Sequence, residues 1–215
     1  MASTATDERD AVDRLRRLIV AGELRPGRRV DQEDLAERIG ISVAPVREAL
    51  RALEQEGQVT YVPRRGYFVT ELRVEDLREI YQLRQVLEAR AARAALPTLD
   101  DEALDRVRRA AADCVDASDV AAQLAANRRF HFTLLDSPAQ PHTMRVIRTL
   151  WDATEAYRAL YYSSPDERRR SVDAHDRILE AIAARDADRL VGELDAHRAR
   201  ALAVLERVLS GPRTP

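Results

Sequence analysis

The sequence predicts a mainly α-helical protein: three N-terminal helices with a β-hairpin, followed by an antiparallel all-α bundle of about six helices. Hydrophobic residues make up 45% of the 215 residues, whereas glycine and proline number only 7 and 9, a composition typical of helical proteins. Apolar residues recur at helical spacing along most of the chain. The β-branched and aromatic pattern of strands is confined to residues 58–70.

The overall charge provides no general attraction to nucleic acid. The net charge is −2, and residues 1–70 contain 12 arginines against 12 acidic residues, so a DNA-binding surface must be a local arrangement of arginines. No apolar run approaches the roughly 20 residues of a membrane-spanning helix. The N-terminus lacks the apolar core of a signal peptide, and the single Cys114 excludes an internal disulfide framework. We therefore expect a cytoplasmic protein that does not bind membranes.

Three helices are predicted in the first 57 residues. The first covers residues 7–21, and the second covers residues 32–39 with Asp31 as its N-cap. The third begins after Ser42 and ends at Gly57. The connection between the second and third helices is only a few residues long, as in a helix-turn-helix.

The first turn of the third helix consists of Ser42, Val43, Ala44 and Pro45. With Ser42 as N-cap, Pro45 takes the third helical position, where a missing N–H costs little because first-turn N–H groups have no intrahelical partner. Arg47 and Arg51 lie on the same outward face as Ala44. We expect these arginines to contact phosphate groups and the first turn to face base edges in the major groove.

Residues 58–70 predict a β-hairpin whose tip is Pro63-Arg64-Arg65-Gly66. Three helices followed by a basic hairpin form a winged helix-turn-helix. We therefore expect double-stranded DNA to be bound by the third helix and by Arg64, Arg65 and Gly66 of the tip. The alternative is an ordinary three-helix unit with a solvated arginine face.

The remainder of the chain is predicted to be a bundle of antiparallel helices. Helical periodicity covers residues 75–96, 100–117, 119–136, 142–162, 165–185 and 187–209, with proline-containing turns among the separators. The predicted division is a winged helix-turn-helix domain (1–70), a linker (71–75), a helical domain (76–209) and a tail (210–215).

Three histidines interrupt the apolar faces of these helices. Asn127 and His131 share one face at a spacing of four residues. His175 lies ten residues before Arg185, and His197 eleven after Asp186, so an antiparallel hairpin places both roughly 15–17 Å from its turn. Three imidazoles and one amide oxygen form a ligand set for Zn²⁺ or a related divalent transition ion. The alternative for each histidine is a core position satisfied by a backbone carbonyl.

Arg84 and Glu88 fall within the apolar stripe of the helix predicted at 75–96. One interpretation is a buried ion pair, four residues apart, that stabilises the bundle. The other is a guanidinium group presented to a carboxylate ligand near the metal.

Taken together, these features resemble a GntR-type transcriptional regulator of the FadR subfamily with a C-terminal FCD ligand-binding domain. In the N-terminal part the resemblance rests on "LRRLIVAGELRPG", "DLAERIGISVAPVREALRALEQEG" and "RRGYFV". In the C-terminal part it rests on "IYQLRQVLEARAARAA", "NRRFHFTLL", "AHDRILEAIAARDADR" and His197. It spans almost the whole chain.

The resemblance implies a homodimer that binds a short inverted repeat of operator DNA, and a small organic acid as effector. It also implies a metal ion, Zn²⁺ or Ni²⁺, held by Asn127, His131, His175 and His197, with Arg84 close to the effector. We therefore expect a regulator rather than an enzyme, most simply a repressor that a carboxylate at the metal site releases from DNA.

Two departures from the family pattern bear on this expectation. Members commonly have Ser-Arg-Thr-Pro or similar where this chain has Ser42-Val43-Ala44-Pro45, so a base-reading arginine and a hydroxyl are missing. Asn127 stands where aspartate is commoner, which lowers the expected metal affinity. Two alternatives stay open: the same fold with a metal-free acyl or apolar effector pocket, and a metal-dependent enzyme built on the bundle, although the sequence contains neither HExxH nor a Glu-x-x-His di-iron pattern.

Overall fold

The computed structural model describes residues 2–136 and 139–210, with side chains from residue 10 onward. Contacts group these residues into two compact units, one of residues 2–72 with 151–156 and one of residues 73–150 with 157–210. Helices dominate the chain, so the prediction of a mainly α-helical fold is confirmed. Of the predicted tail, Ser210 ends the last helix, and residues 211–215 lie outside the described residues.

The first unit contains helices α1 (Ala2–Val20), α2 (Gln32–Ile39) and α3 (Val43–Gln55). The Asp31 carboxylate accepts hydrogen bonds from the backbone N–H groups of Glu33 and Asp34, at 3.0 and 3.3 Å, and so caps α2. Ser42 occupies the N-cap position of α3 without a side-chain capping bond. Pro45 is therefore the third residue of α3, as predicted.

The hairpin consists of strands β1 (Val59–Val62) and β2 (Gly66–Val69), paired antiparallel with Val62 opposite Gly66. Arg64 and Gly66 have φ values of 64° and 91°, and this left-handed backbone lets a short loop reverse the chain. An isolated bridge pairs Arg29 with Phe68. The connector between α1 and α2 thus adds a short edge to the hairpin, a feature that the sequence did not predict.

A compact apolar core unites these elements of the first unit. Fully buried members from α1, α2, α3 and β1 are Leu15, Leu35, Val46, Ala49, Leu50, Leu53 and Val59. Because Val46, Ala49, Leu50 and Leu53 occupy one face of α3, the opposite face is left for solvent or a partner.

The remaining helices are α4 (Val74–Ala95), α5 (Asp101–Val115), α6 (Val120–Leu135), α7 (Pro141–Ala153), α8 (Glu155–Tyr162), α9 (Pro165–Ala183) and α10 (Ala187–Ser210). Helix α4 begins inside the predicted linker 71–75, because the Asp76 carboxylate accepts a hydrogen bond from the Arg73 N–H at 2.9 Å. No helix in the described part of the chain is long and apolar enough to cross a membrane.

The prediction of one helix over residues 142–162 is wrong. The chain turns at Thr154, whose buried hydroxyl donates a hydrogen bond to the carbonyl of Trp151 at 3.1 Å. A Ser or Thr hydroxyl that bonds the local backbone competes with helical pairing. Seven α-helices, rather than about six, therefore follow residue 73 in the described residues.

The turn between α9 and α10 positions the candidate ligands. Arg185 adopts a left-handed φ of 54°, and the Asp186 carboxylate accepts a hydrogen bond from the Arg189 N–H at 2.9 Å, which caps α10. Helix α10 packs against α4 and α9, while α6 packs against α4 and α5. The inner faces of α6, α9 and α10 are thereby directed toward one region of the second unit.

Candidate functional site

The outward face of α3 and its N-cap carry four of the nine predicted DNA-contacting residues. Ser42, Ala44, Arg47 and Arg51 are exposed. Val43 and Pro45 are partly buried, and Val43 packs against the core of the first unit. We predicted that Val43 would face DNA, but its side chain is turned partly toward the interior. The reason is that an apolar side chain at this position extends the core of the unit.

Arg47 and Arg51 line a groove of about 630 Å³ between α3 and the hairpin, together with Gln32, Glu54, Gln55, Tyr61 and Tyr67. Arg51 donates to Glu48 at 2.7 Å, and Arg47 Nε lies 3.5 Å from Gln32 Oε1. Sequence reasoning did not single out Gln32 or Tyr61. Tyr61 is 48% exposed, although the alternation of a strand places it on the same face as the buried Val59, so the sequence pattern did not indicate it.

The hairpin tip offers two further cations. Arg64 and Arg65 are exposed, and the Arg65 guanidinium lies over the Phe68 ring, 5.1 Å from its centroid. A guanidinium stacked on an aromatic ring loses less conformational freedom when it binds an anion than a free one does. The tip, with its positive φ at Gly66, is thus a small basic surface of the same unit as α3.

Three imidazoles meet inside the second unit. The ring centroids of His131, His175 and His197 lie 5.1 to 5.4 Å apart, and one nitrogen of each lies within 4.8 Å of the others. His131 and His175 are 3% and 1% exposed. The structure therefore brings together the three histidines that helical spacing and the level of the α9–α10 hairpin predicted to converge.

Asn127 joins this histidine cluster through its side-chain amide. Its Oδ1 atom lies 3.1 Å from His175 Nε2, and Asn127 is 3% exposed. The Nδ1 atom of His175 has no hydrogen-bond partner among the described residues. Among the described residues, His175 therefore does not have the backbone-carbonyl partner of an ordinary core histidine. It contacts the amide oxygen of Asn127 instead.

The histidines of this cluster are held in the neutral form. Burial lowers the pKa of His131 and of His175 well below the usual 6.5, and it lowers the pKa of His197 to about 4. The positive charges of Arg84 and Arg158 lower the pKa of His131 and His197 further. Neutral imidazole is the form that coordinates a metal ion.

Arg84 takes part in a buried ionic network. Its Nε donates to Glu88 Oε1 at 2.8 Å, and Arg198 Nη2 donates to Glu88 Oε2 at 2.8 Å. Burial raises the pKa of Glu88, but the two guanidinium groups outweigh that effect and lower the pKa to about 2. The buried Arg84–Glu88 pair is present. Sequence reasoning missed Arg198, although it lies four residues after the buried Leu194 on the same helical face.

Arg84 also contacts Tyr81, which lies one turn earlier on the same helix, α4. Its guanidinium lies over the Tyr81 ring, 4.9 Å from the centroid. The buried Tyr81 hydroxyl has no hydrogen-bond partner within residues 2–136 and 139–210. A hydroxyl donor and a guanidinium thus lie on one helix that packs against α10, the helix that carries His197.

Comparison with known proteins identifies two families along the chain. Residues 8–69 match bacterial regulatory proteins of the gntR family, and residues 79–200 match the FCD domain. The chain is 31% identical over 205 residues to the HTH-type transcriptional regulator BphR of Paraburkholderia xenovorans, covering 90% of this chain and 83% of that protein.

Two further similarities extend over most of the chain. It is 28% identical over 182 residues to the Nta operon transcriptional regulator of Aminobacter aminovorans, covering 84% of this chain and 85% of that protein. The solved structure of Escherichia coli McbR/YncC superposes with a TM-score of 0.80 at 25% identity, over 95% of this chain and 97% of that one. The winged helix-turn-helix and the helical second domain are thus shared with transcriptional regulators.

Replacing Glu88 by glutamine should destabilise the protein strongly. The substitution keeps the shape of the side chain but removes the charge that faces Arg84 and Arg198, and breaking a buried ion pair costs about 3–5 kcal/mol. Urea unfolding followed by circular dichroism measures the change. Glu79→Gln, at an exposed position of the same helix, is the matched control. Equal unfolding curves for the two variants would contradict the network's stabilising role.

The metal-free protein should lose stability as the pH falls from 6.5 toward 4. In that range the unfolded histidines bind protons that the folded, low-pKa histidines do not, so the unfolded state gains up to about 1.4 kcal/mol per pH unit for each histidine. Urea unfolding in a chelator at pH 7, 6 and 5 tests this. His197→Gln should give a shallower pH dependence than His142→Gln, whose histidine is exposed; equal slopes would refute the assignment.

Proposed function

The chain belongs to the GntR family of transcriptional regulators, with an FCD domain, and we propose that it is a homodimeric repressor released from its operator by a small carboxylate. The observation that carries this proposal is the convergence of Asn127 and three neutral imidazoles in the second unit, close to Arg84. The relatives BphR and the Nta operon regulator, named for transcription, support regulation rather than catalysis.

DNA recognition rests on the first unit. In a dimer, two copies of α3 occupy neighbouring major-groove segments of a short inverted repeat, as in other helix-turn-helix dimers. We place this binding in the cytoplasm. Arg47, Arg51, Arg64 and Arg65 bind phosphate groups. Because Val43 faces partly inward and Ala44 has no polar group, base recognition depends on the groove between α3 and the hairpin.

Asn127, His131, His175 and His197 are the residues that would hold a divalent transition ion, Zn²⁺ or Ni²⁺. They fit such an ion in donor type, since three neutral nitrogens and an amide oxygen are ligands that these metals accept. One nitrogen of each histidine lies within 4.8 Å of the others, which is close enough for the three imidazoles to share one ion. A bound ion would supply a Lewis-acidic centre for the effector carboxylate.

Asn127 and Arg84 set the charge of the effector site. With asparagine in place of a carboxylate, none of the four candidate ligands carries a negative charge. Arg84 lies near enough to lower the pKa of His131 and His197, while Glu88 is shared between Arg84 and Arg198. An anionic effector supplies the missing negative charge and meets the Arg84 guanidinium there.

Release from the operator follows from linkage. A carboxylate that binds better to one arrangement of the dimer than to the operator-bound one shifts the population away from DNA. Operator and effector must then weaken each other's binding by the same factor. The side chains act by binding and orienting the ligand, and no covalent step is required.

Replacing Arg47 by alanine should weaken operator binding at least tenfold and reduce the slope of log affinity against log salt by about 1, because one phosphate contact is lost. Fluorescence anisotropy with a duplex selected from a random library measures both quantities. Arg38→Ala, which removes an exposed arginine of α2 paired with Glu23, is the control. Unchanged affinity of the Arg47 variant would exclude α3 as the recognition helix.

The double variant His175→Ala, His197→Ala should bind neither Zn²⁺ nor effector but should still bind operator DNA. Metal content after purification without added metal, a Zn²⁺ titration, and a thermal-shift panel of mono-, di- and tricarboxylates measure these properties. His142→Ala should behave as wild type. The metal-site mechanism would be rejected if the carboxylate that releases the wild type from operator DNA also released the double variant. A wild-type protein without metal affinity would favour a metal-free pocket.

A further inference from the structure

A second concave site lies in the same unit, on the seam of α5, α6 and α9. It is a groove of about 640 Å³ formed by the end of α5, the first turns of α6 and the first turns of α9. Residues that line it include Val115, Ala117, Gln123, Pro165, Arg168 and Val172. A volume of this size holds a small organic molecule.

Gln123 supplies a buried donor at this groove. Its side chain is 2% exposed, and its Nε2 amide group has no hydrogen-bond partner in the part of the chain that the structure describes. A buried N–H group without an acceptor costs about 1–3 kcal/mol, so an acceptor brought by a ligand would remove that cost. Gln123 precedes Asn127 by one helical turn, about 6 Å of rise. The residues that line the groove include neither Asn127 nor any of the three clustered histidines.

Three consecutive arginines of α9 line the groove, and their ion pairs differ. Arg169 contacts Asp166, and Arg170 donates to Glu167 at 3.1 Å. Arg168 is partly buried and has no ion-pair partner among the described residues. Its charge is thus available to an anion that enters the groove.

The charge of the lining favours an anion. Three arginines and two aspartates, Asp166 and Asp173, line the groove, which gives a formal charge of 3 − 2 = +1. The first turn of α9 contains Asp166 and Glu167, and the Ser164 hydroxyl accepts the Glu167 N–H, so the partial positive charge of this helix terminus is already offset. Arg168 is therefore the cation that the groove offers to an anion.

The rest of the lining is partly apolar. Val115 is 64% exposed, and Ala117, Pro165 and Val172 also line the groove. Cys114 also lines the groove, but burial raises the pKa of its thiol to about 12, so this thiol stays protonated and forms no covalent bond with a ligand near neutral pH. These residues therefore offer apolar contact and not a nucleophile.

We propose that this groove binds a small amphipathic monocarboxylate, independently of the metal-site effector. Its carboxylate meets Arg168, and the Gln123 amide donates a hydrogen bond to one carboxylate oxygen. Its apolar part covers Val115 and Val172. This second ligand site rests on residues that have no part in the proposed metal centre.

The test is ¹⁹F NMR of 4-fluorobenzoate titrated with the full-length protein. The wild type should broaden the fluorine resonance in a saturable way, and neutral 4-fluorobenzyl alcohol should bind at least tenfold more weakly. Arg168→Gln and Gln123→Leu should each weaken benzoate binding at least fivefold. The control Arg106→Gln, at an exposed residue of α5 paired with Glu102 outside the groove, should bind as wild type.

The double variant His175→Ala, His197→Ala separates this site from the proposed metal centre. If the groove binds the probe, that variant keeps its affinity even where its response to other carboxylates is lost. Absence of saturable broadening with the wild type would overturn the proposal. Binding that survives both groove substitutions and disappears in the histidine variant would also overturn it, because the probe would then occupy the histidine cluster.

Discussion

The carboxylate of Glu88 makes it possible to bury strong positive charge beside the histidine cluster. It accepts hydrogen bonds from Arg84 on its own helix and from Arg198 on α10, so it ties α4 to the helix that carries His197. Two buried guanidinium groups without such a partner would cost several kcal/mol. Glu88 also raises the pKa of His197, in opposition to Arg84, Arg198 and burial. The ionic network is therefore at once a structural link and part of the electrostatic environment of the candidate ligands.

A site with this charge is complementary to an anion rather than to a cation alone. Asn127 adds no negative charge, and the two carboxylates of the network, Glu88 and Asp195, are already paired with Arg84 and Arg198. A divalent ion bound by neutral ligands would keep its full charge and would need an anionic partner for close to neutral balance. In the proposed mechanism, asparagine at position 127 would thus make metal binding and acid binding depend on each other more than aspartate would.

Much of the architecture followed from the sequence because local signals agreed with one another. Asp31, Ser42 and Pro45 marked helix starts, and the spacing of His175 and His197 about one turn indicated their common level. The break at Thr154 was missed because apolar periodicity continues through it, and the competing hydroxyl bond is visible only in the folded chain. Arg198 was missed because the sequence alone does not distinguish a buried arginine from a solvated one. Its partner, Glu88, lies on a different helix and is identified only in the folded chain. The fold prediction is confirmed, whereas the ligand roles of the converging residues stay predictions.

The DNA-binding surface proposed for the first unit and the histidine cluster of the second unit both keep a constant charge near neutral pH. This limits how the protein's activity is controlled. All 35 basic residues of the chain are arginines, and arginine keeps its charge at any physiological pH. The imidazoles near Arg84 are neutral at pH 7 because burial lowers their pKa. Neither the DNA-facing arginines nor the histidine cluster therefore changes charge in the physiological range. In the proposed mechanism, control therefore comes from occupancy: an anion bound in the second unit biases the dimer without competing for the arginines of the first unit. The strength of that control is limited to the difference in the anion's affinity for the two arrangements of the dimer.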